Sequence, residues 1–177
     1  RIAGTDIDTK HFSSGDLTLV GTIWPLNDAK NGRYFGIATY LTLPTGNYSA
    51  TKPSLGSNRW SVAVQPGFLF NVAPKWSVDV VGGVTIYGDN NDGPGGVQVE
   101  EDASYTALGW VNYNASDTTM LSAGATASWG GAETVGSIRG ADVESTTVRV
   151  AWSQMLNPTT QFLMEVGHDV DAQNTFK

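Results

Sequence analysis

The feature that most constrains the fold is a period-two alternation between residues 60 and 87, in the sequence WSVAVQPGFLFNVAPKWSVDVVGGVTIY. Side chains of a β-strand point alternately to its two faces, so every second residue shares a face. Here one face is almost purely apolar and the other is small or polar, both before and after Ala73-Pro74-Lys75. The pattern predicts two strands that form a hairpin, with the turn at these three residues.

The length of this hairpin indicates a membrane protein. About ten residues per strand, at roughly 3.3 Å each and a tilt near 45°, give an apolar band of about 25 Å, the height of the hydrocarbon belt of an outer membrane. Trp60 lies at one end of the apolar face, whereas Phe70 and Trp76 lie at the other. Aromatic residues favour these two membrane boundaries. We therefore predict an all-β fold, an antiparallel transmembrane β-barrel whose apolar face contacts lipid.

Composition and motifs exclude several other classes. No run approaches the roughly 18 apolar residues of a membrane helix, the chain has no cysteine, and its net charge of −7 argues against a nucleic-acid partner. No catalytic, zinc-ligand or phosphate-binding motif is present, so we predict neither an enzyme nor a cofactor. The loop Asp89-Asn90-Asn91-Asp92 resembles the start of a calcium loop, but Pro94 stands where that loop needs glycine. We predict no metal site.

The alternation continues through the rest of the chain. We predict eight strands, at residues 15–24, 33–43, 60–72, 76–87, 103–113, 119–129, 146–154 and 161–170. In segment 103–113 the alternation is ambiguous, and we place Tyr105, Val111 and Tyr113 on the lipid face. Short turns alternate with long polar loops at 44–59, 88–102 and 130–145. Outer-membrane barrels have this alternation, with short periplasmic turns and longer extracellular loops.

The direction of the strands bears on domain organisation. Under the barrel rule the first predicted strand runs toward the periplasm and the last runs away from it, whereas bacterial barrels keep both termini in the periplasm. We therefore expect residues 1–177 to be a single outer-membrane β-barrel domain that lacks N-terminal strands and the closing C-terminal strand of a larger barrel.

The polar face is expected to line the lumen, since the interior of such barrels is polar. The candidate lumen-lining residues are Asp16, Tyr34, Tyr40, Gln65, Asp79, Tyr87, Arg149 and Glu165. The charged side chains could form a selectivity zone, or could simply pair and hydrate inside the lumen. Arg149 lies within diagonal reach of Glu165 on the adjacent strand. The tyrosines could stack with an aromatic solute or merely fill the lumen.

Several short motifs carry a resemblance to a known family. They are Leu43-Pro44-Thr45-Gly46 with Tyr48, Gly56-Ser57-Asn58-Arg59-Trp60, and Gly130-Gly131 with Glu133-Thr134, in this order. Over nearly its whole length the chain resembles the outer-membrane family named for the MetA pathway of phenol degradation. The resemblance implies a barrel of about twelve antiparallel strands in the bacterial outer membrane. It also implies that small hydrophobic or aromatic molecules pass through the barrel.

We therefore expect an outer-membrane channel for passive uptake of small hydrophobic or aromatic molecules, with outer-membrane lipid and these solutes as its partners. One alternative is a structural or adhesive surface barrel with a filled lumen, which would conduct nothing. Another is a soluble β-barrel or β-sandwich that binds a ligand, in which the apolar face would form a core. The barrel follows from the residue pattern, whereas the solute class follows from the resemblance alone.

Overall fold

The computed structural model describes residues 13–174 and contains two antiparallel sheets. The strands are β1 (Leu17–Asp28), β2 (Arg33–Leu43), β3 (Ser61–Ala73), β4 (Trp76–Tyr87), β5 (Val99–Glu101), β6 (Ser104–Asn114), β7 (Thr119–Gly130), β8 (Glu133–Val135), β9 (Ile138–Arg139), β10 (Val143–Asn157) and β11 (Thr160–Gln173). Eight of them form the main sheet, in the order β1-β2-β3-β4-β6-β7-β10-β11. Between residues 13 and 174, its edge strands β1 and β11 do not pair with each other. The predicted antiparallel all-β fold is confirmed.

All eight predicted strands are present in the main sheet, and β2 has the predicted bounds. The clearest difference is in β1, which continues past the predicted end at Trp24 to Asp28. The register shifts between Ile23 and Leu26, so a bulge accommodates Pro25. Because proline has no N–H to donate to the ladder, it is tolerated at such a bulge. The turn between β1 and β2 is correspondingly shorter than the predicted one.

The second sheet lies within segments that were predicted to be loops. β5 pairs with β8, and β8 pairs with β9, so parts of the second and third long loops form a three-stranded sheet. These two long loops therefore contain short strands that the sequence analysis did not predict. Strands of two or three residues are too short to show an alternation in the sequence. No helix in the described part of the chain is long and apolar enough to cross a membrane.

One face of the main sheet is apolar and exposed, and we call it the outward face. Among residues 13–174 only two hydrophobic residues are buried, Val99 and Ala132, and neither lies in the main sheet. By contrast, Val80, Val150 and Met164 are 51%, 59% and 52% exposed. A soluble β-sandwich would cover such a face to form its core. The arrangement suits lipid contact and argues against the soluble alternative.

Aromatic pairs flank the outward apolar face at its two ends. We call the end with the short turns the turn end, and the end with the long loops the loop end. At the turn end Trp76 packs on Tyr113, with ring centroids 4.7 Å apart. At the loop end Tyr105 stacks on Trp129 at 5.9 Å. These pairs place β6 with the predicted face outward, and form the two aromatic bands expected at the boundaries of a membrane.

Candidate solute pathway on the inner face

The inner face of the main sheet holds a cavity of about 400 Å³ toward the turn end, which we call the inner cavity. Its larger apolar and aromatic lining residues are Trp24, Tyr34, Phe68, Leu69, Val81, Leu108 and Trp110. Its polar side chains include Thr22, Gln65 and Asp79. The inner cavity therefore brings together three of the predicted lumen-lining residues, Tyr34, Gln65 and Asp79.

The register of the strands explains why these side chains meet. Tyr34 of β2 pairs with Leu69 of β3, and Leu69 pairs with Asp79 of β4. Asp79 in turn pairs with Trp110 of β6. Directly paired residues on adjacent strands point to the same face. Four inner-face side chains thus form one row across four strands, with a single carboxylate among apolar and aromatic neighbours.

Two glycines leave the space that two tryptophan rings occupy. A Cβ added at Gly36 would lie 3.0 Å from the ring of Trp24, and one added at Gly124 would lie 2.6 Å from the ring of Trp110. Each ring therefore lies against the backbone of the adjacent strand, where any larger residue would displace it. Glycine within a strand often marks such a close approach. The sequence shows these glycines, but it does not show which rings they accommodate.

Asp79 is the charged residue among those that line the inner cavity. Its Oδ2 accepts a 3.0 Å hydrogen bond from Nδ2 of Asn112, a buried residue. Oδ1 of Asn112 accepts a 2.7 Å bond from Oγ of Ser122, which holds the amide in place. The other carboxylate oxygen of Asp79, Oδ1, is buried and has no hydrogen-bond partner within residues 13–174. The carboxylate is therefore held on one side and unsatisfied on the other.

Arg149 and Glu165 form the predicted diagonal ion pair, away from the inner cavity. Nη1 of Arg149 lies 3.1 Å from Oε1 of Glu165, and the two side chains are 37% and 38% exposed. Water screens a pair this exposed, so it stabilises the fold by at most about 1 kcal/mol. Its contribution is mainly to place one charge of each sign on the inner face of β10 and β11.

Asp16 lies at the loop end and anchors the first long loop. Its carboxylate accepts hydrogen bonds from the backbone N–H of Gly46 at 2.8 Å, from the backbone N–H of Ser57 at 2.8 Å and from Oγ of Ser57 at 2.6 Å. Burial opposes ionisation of Asp16, but these hydrogen bonds outweigh it and lower the pKa of the carboxyl. Asp16 is thus tied to two of the sequence motifs that carry the family resemblance.

The two remaining predicted residues, Tyr40 and Tyr87, also lie toward the loop end. Tyr40 is half-buried, and it pairs in register with Val20 on one side and Ala63 on the other. The hydroxyl of Tyr87 shares a 2.8 Å hydrogen bond with Oγ of Ser104. Neither tyrosine lines the inner cavity. The eight candidates therefore divide between the inner cavity, the ion pair and the loop end.

Arg59, for which the sequence predicted no role, joins all three long loops. Its guanidinium contacts the carboxylate of Glu101, lies 3.2 Å from Oε1 of Glu133 and sits 5.3 Å from the centroid of the Tyr87 ring. The side chains of Arg59 and Glu101 are only 14% and 13% exposed. Burial raises the pKa of Glu101, although the charge of Arg59 opposes this effect. The family motifs that contain Arg59 and Glu133 were the available signal.

An apolar outward face, two aromatic bands and a polar inner face with a cavity define an outer-membrane β-barrel protein. The chain belongs to the family described as "Putative MetA-pathway of phenol degradation", whose model matches residues 2–177. It is also similar to the crystal structure of an outer membrane channel from Pseudomonas putida F1, with 33% identity and a TM-score of 0.82. The similarity covers 89% of this chain, which spans 60% of that channel. No curated protein matches the chain.

These comparisons confirm the resemblance that the sequence motifs indicated. They also place the protein in the bacterial outer membrane, as the alternation and the aromatic ends predicted.

Proposed function

We propose that the protein is an outer-membrane channel for passive uptake of small hydrophobic or aromatic molecules, and that it catalyses no reaction. The observation that carries this proposal is the inner cavity, an aromatic and apolar site within the polar inner face of the sheet. The similar protein from Pseudomonas putida F1 is a channel, which supports the transport class. The family description supports aromatic solutes.

The dimensions of the inner cavity suit such solutes. Its volume of about 400 Å³ lies within the range of roughly 300–1,000 Å³ that is usual for small-molecule sites. Trp24, Tyr34 and Trp110 offer ring faces and edges against which an aromatic molecule can pack.

We assign the eight candidate residues to three parts of the pathway. Tyr34, Gln65 and Asp79 contact the solute in the inner cavity. Arg149 and Glu165 set the charge of the neighbouring wall. Asp16, Tyr40 and Tyr87 shape the mouth at the loop end. The outward face contacts outer-membrane lipid throughout.

Single-channel recording of the complete protein in a planar bilayer tests the proposal. We expect discrete openings and a reduced current when phenol is added. Trp110→Ala should weaken the blockade about 2- to 10-fold, since an aromatic pair contributes about 0.5–1.5 kcal/mol. Trp152→Ala is the matched control, because Trp152 packs on Phe162 and lies on the outward face. Equal effects of the two substitutions would count against a solute path through the inner cavity.

The ordered loop end favours a second candidate function, a structural or adhesive surface barrel with a filled lumen. Arg59 ties the three long loops together, and β5, β8 and β9 give two of them a fixed structure. A surface barrel needs such rigid loops, whereas a channel needs a route past them. If the inserted protein shows no openings and vesicles that contain it take up no phenol, this second function replaces the first.

A further inference from the structure

The unsatisfied oxygen of Asp79 needs a physical explanation. Nearly all buried polar groups in folded proteins have a hydrogen-bond partner, and a carboxylate that lacks one loses the solvation it had in water. Oδ1 of Asp79 is buried without a partner in the described residues, and none of their ion pairs involves Asp79. No cation therefore offsets its charge there, although Asn112 binds its other oxygen.

The surroundings of Asp79 favour a ring-shaped partner. Its neighbours in the row are Leu69 and Trp110, and Trp24 lines the same cavity. An ionised carboxylate only accepts hydrogen bonds, so the missing partner must be a donor. The torsion that orients a carboxylate is broad and nearly two-fold. A modest rotation can therefore present one oxygen to the cavity while the other keeps its bond to Asn112.

We propose that Asp79 determines specificity in the inner cavity by accepting a hydrogen bond from the hydroxyl or amino group of an aromatic solute. The ring of that solute packs against Trp24 and Trp110, while its donor satisfies the free oxygen of Asp79. This inference rests on the proposed function and deepens it, since it names the chemistry by which the channel selects among aromatic molecules. Donor-bearing aromatics are preferred over hydrocarbons of the same size.

The strength of the preference follows from the cost of leaving the carboxylate unpaired. A site built to hydrogen-bond a substrate rejects an analogue that lacks the polar group, because the analogue excludes water and replaces none of its bonds. A hydrogen bond to a charged group corresponds to a change in affinity of about 10-fold or more. Phenol and aniline should therefore bind at least about 10-fold more tightly than toluene, which has a similar ring and no donor.

Equilibrium dialysis with the complete protein in detergent measures this preference without requiring conduction. Phenol, aniline and toluene are compared on the wild-type protein, on Asp79→Leu, which removes the acceptor, and on Asp79→Asn, which removes the charge and keeps the shape. Asp169→Asn is the matched control, because Asp169 lies outside the inner cavity and already accepts a 2.6 Å bond from Oγ1 of Thr147. Heat-dependent gel migration reports whether each variant folds.

We expect Asp79→Leu to abolish the preference for phenol over toluene, Asp79→Asn to weaken it, and Asp169→Asn to leave it intact. Equal binding of phenol and toluene by the wild-type protein would overturn the proposal. So would a preference that survives in both folded Asp79 variants. Should Asp79→Leu fail to fold, Asp79→Asn carries the test alone. Vesicle uptake separates the two proposals: Asp79-dependent binding without uptake supports this site and refutes the channel.

Discussion

Replacing Gly124 with alanine should displace the ring of Trp110 from the wall of the inner cavity. The new Cβ would lie 2.5 Å from the carbonyl oxygen of Gly109 and 2.6 Å from the nearest ring atom of Trp110. Favourable contact between such atoms begins near about 3.5 Å. The ring and the backbone of β6 must therefore together give way by about 1 Å.

The expected loss of stability follows from these two contacts. Inserting a methyl group into a packed site costs about 1–3 kcal/mol, whereas alanine in a strand is otherwise favoured over glycine by about 0.5–1 kcal/mol. A side chain can rotate away, but the carbonyl oxygen of Gly109 belongs to the backbone and cannot. We therefore expect Gly124→Ala to lower the free energy of unfolding by about 1–2 kcal/mol.

Urea unfolding of the complete protein in lipid vesicles, followed by tryptophan fluorescence, measures this loss. Gly82→Ala is the control, because a Cβ at Gly82 would have no atom within 4 Å and, like the exposed Val80 and Val84 on the same strand, would point to the lipid face. The control should be neutral or slightly stabilising, with unchanged emission. If Gly124→Ala matches the control in both stability and emission, the close contact between Trp110 and Gly124 is refuted.

Two further predictions concern the loop end. Arg59→Ala leaves the charge of Glu101 buried without its partner, so the free energy of local opening of the second and third long loops should fall by roughly 3 kcal/mol. This change would be measured as faster amide hydrogen exchange in β5 and β8. Unchanged exchange protection would show that Arg59 does not hold these loops. The pKa of Asp16 is lowered in the folded state, so its ionised form stabilises the first long loop. This stabilisation is fully present at pH values above 3.8, the ordinary pKa of the carboxyl, and it is lost as the pH falls through the lowered pKa. The NMR chemical shift of the Ser57 amide should follow this titration in the wild-type protein and should not change with pH in Asp16→Asn. A Ser57 shift that changes neither with pH nor on this substitution would contradict the contact.

The amino-acid sequence by itself determined the strands and their faces. The direction of a side chain in a strand depends only on its position along that strand, so alternation is legible without knowledge of the partner strands. Residues 60–87 predicted both the hairpin and its lipid face, and the structure has the turn between Ala73 and Trp76. Even the ambiguous segment 103–113 has Tyr105 and Tyr113 on the predicted side.

The tertiary structure decided which side chains line the inner cavity. Asp79 and Trp110 belong to strands separated by a long loop, and only the register between β4 and β6 makes them neighbours. A shift of one residue between β4 and β6 would have turned the inner-face side chains of β6 toward lipid. The sequence likewise could not show that Gly124 accommodates the ring of Trp110, because that space is created by an adjacent strand.

At the loop end, too, the contacts were decided by the tertiary structure and not by any pattern in the sequence. Arg59, Glu101 and Glu133 lie on three different loops, and no local pattern indicates that their side chains meet. Their contacts form only once the main sheet has brought the ends of β3, β6 and β7 together. Alternation is a local property of each strand, whereas the inner cavity and the contacts of Arg59 arise between distant segments, which the folded sheet alone brings together.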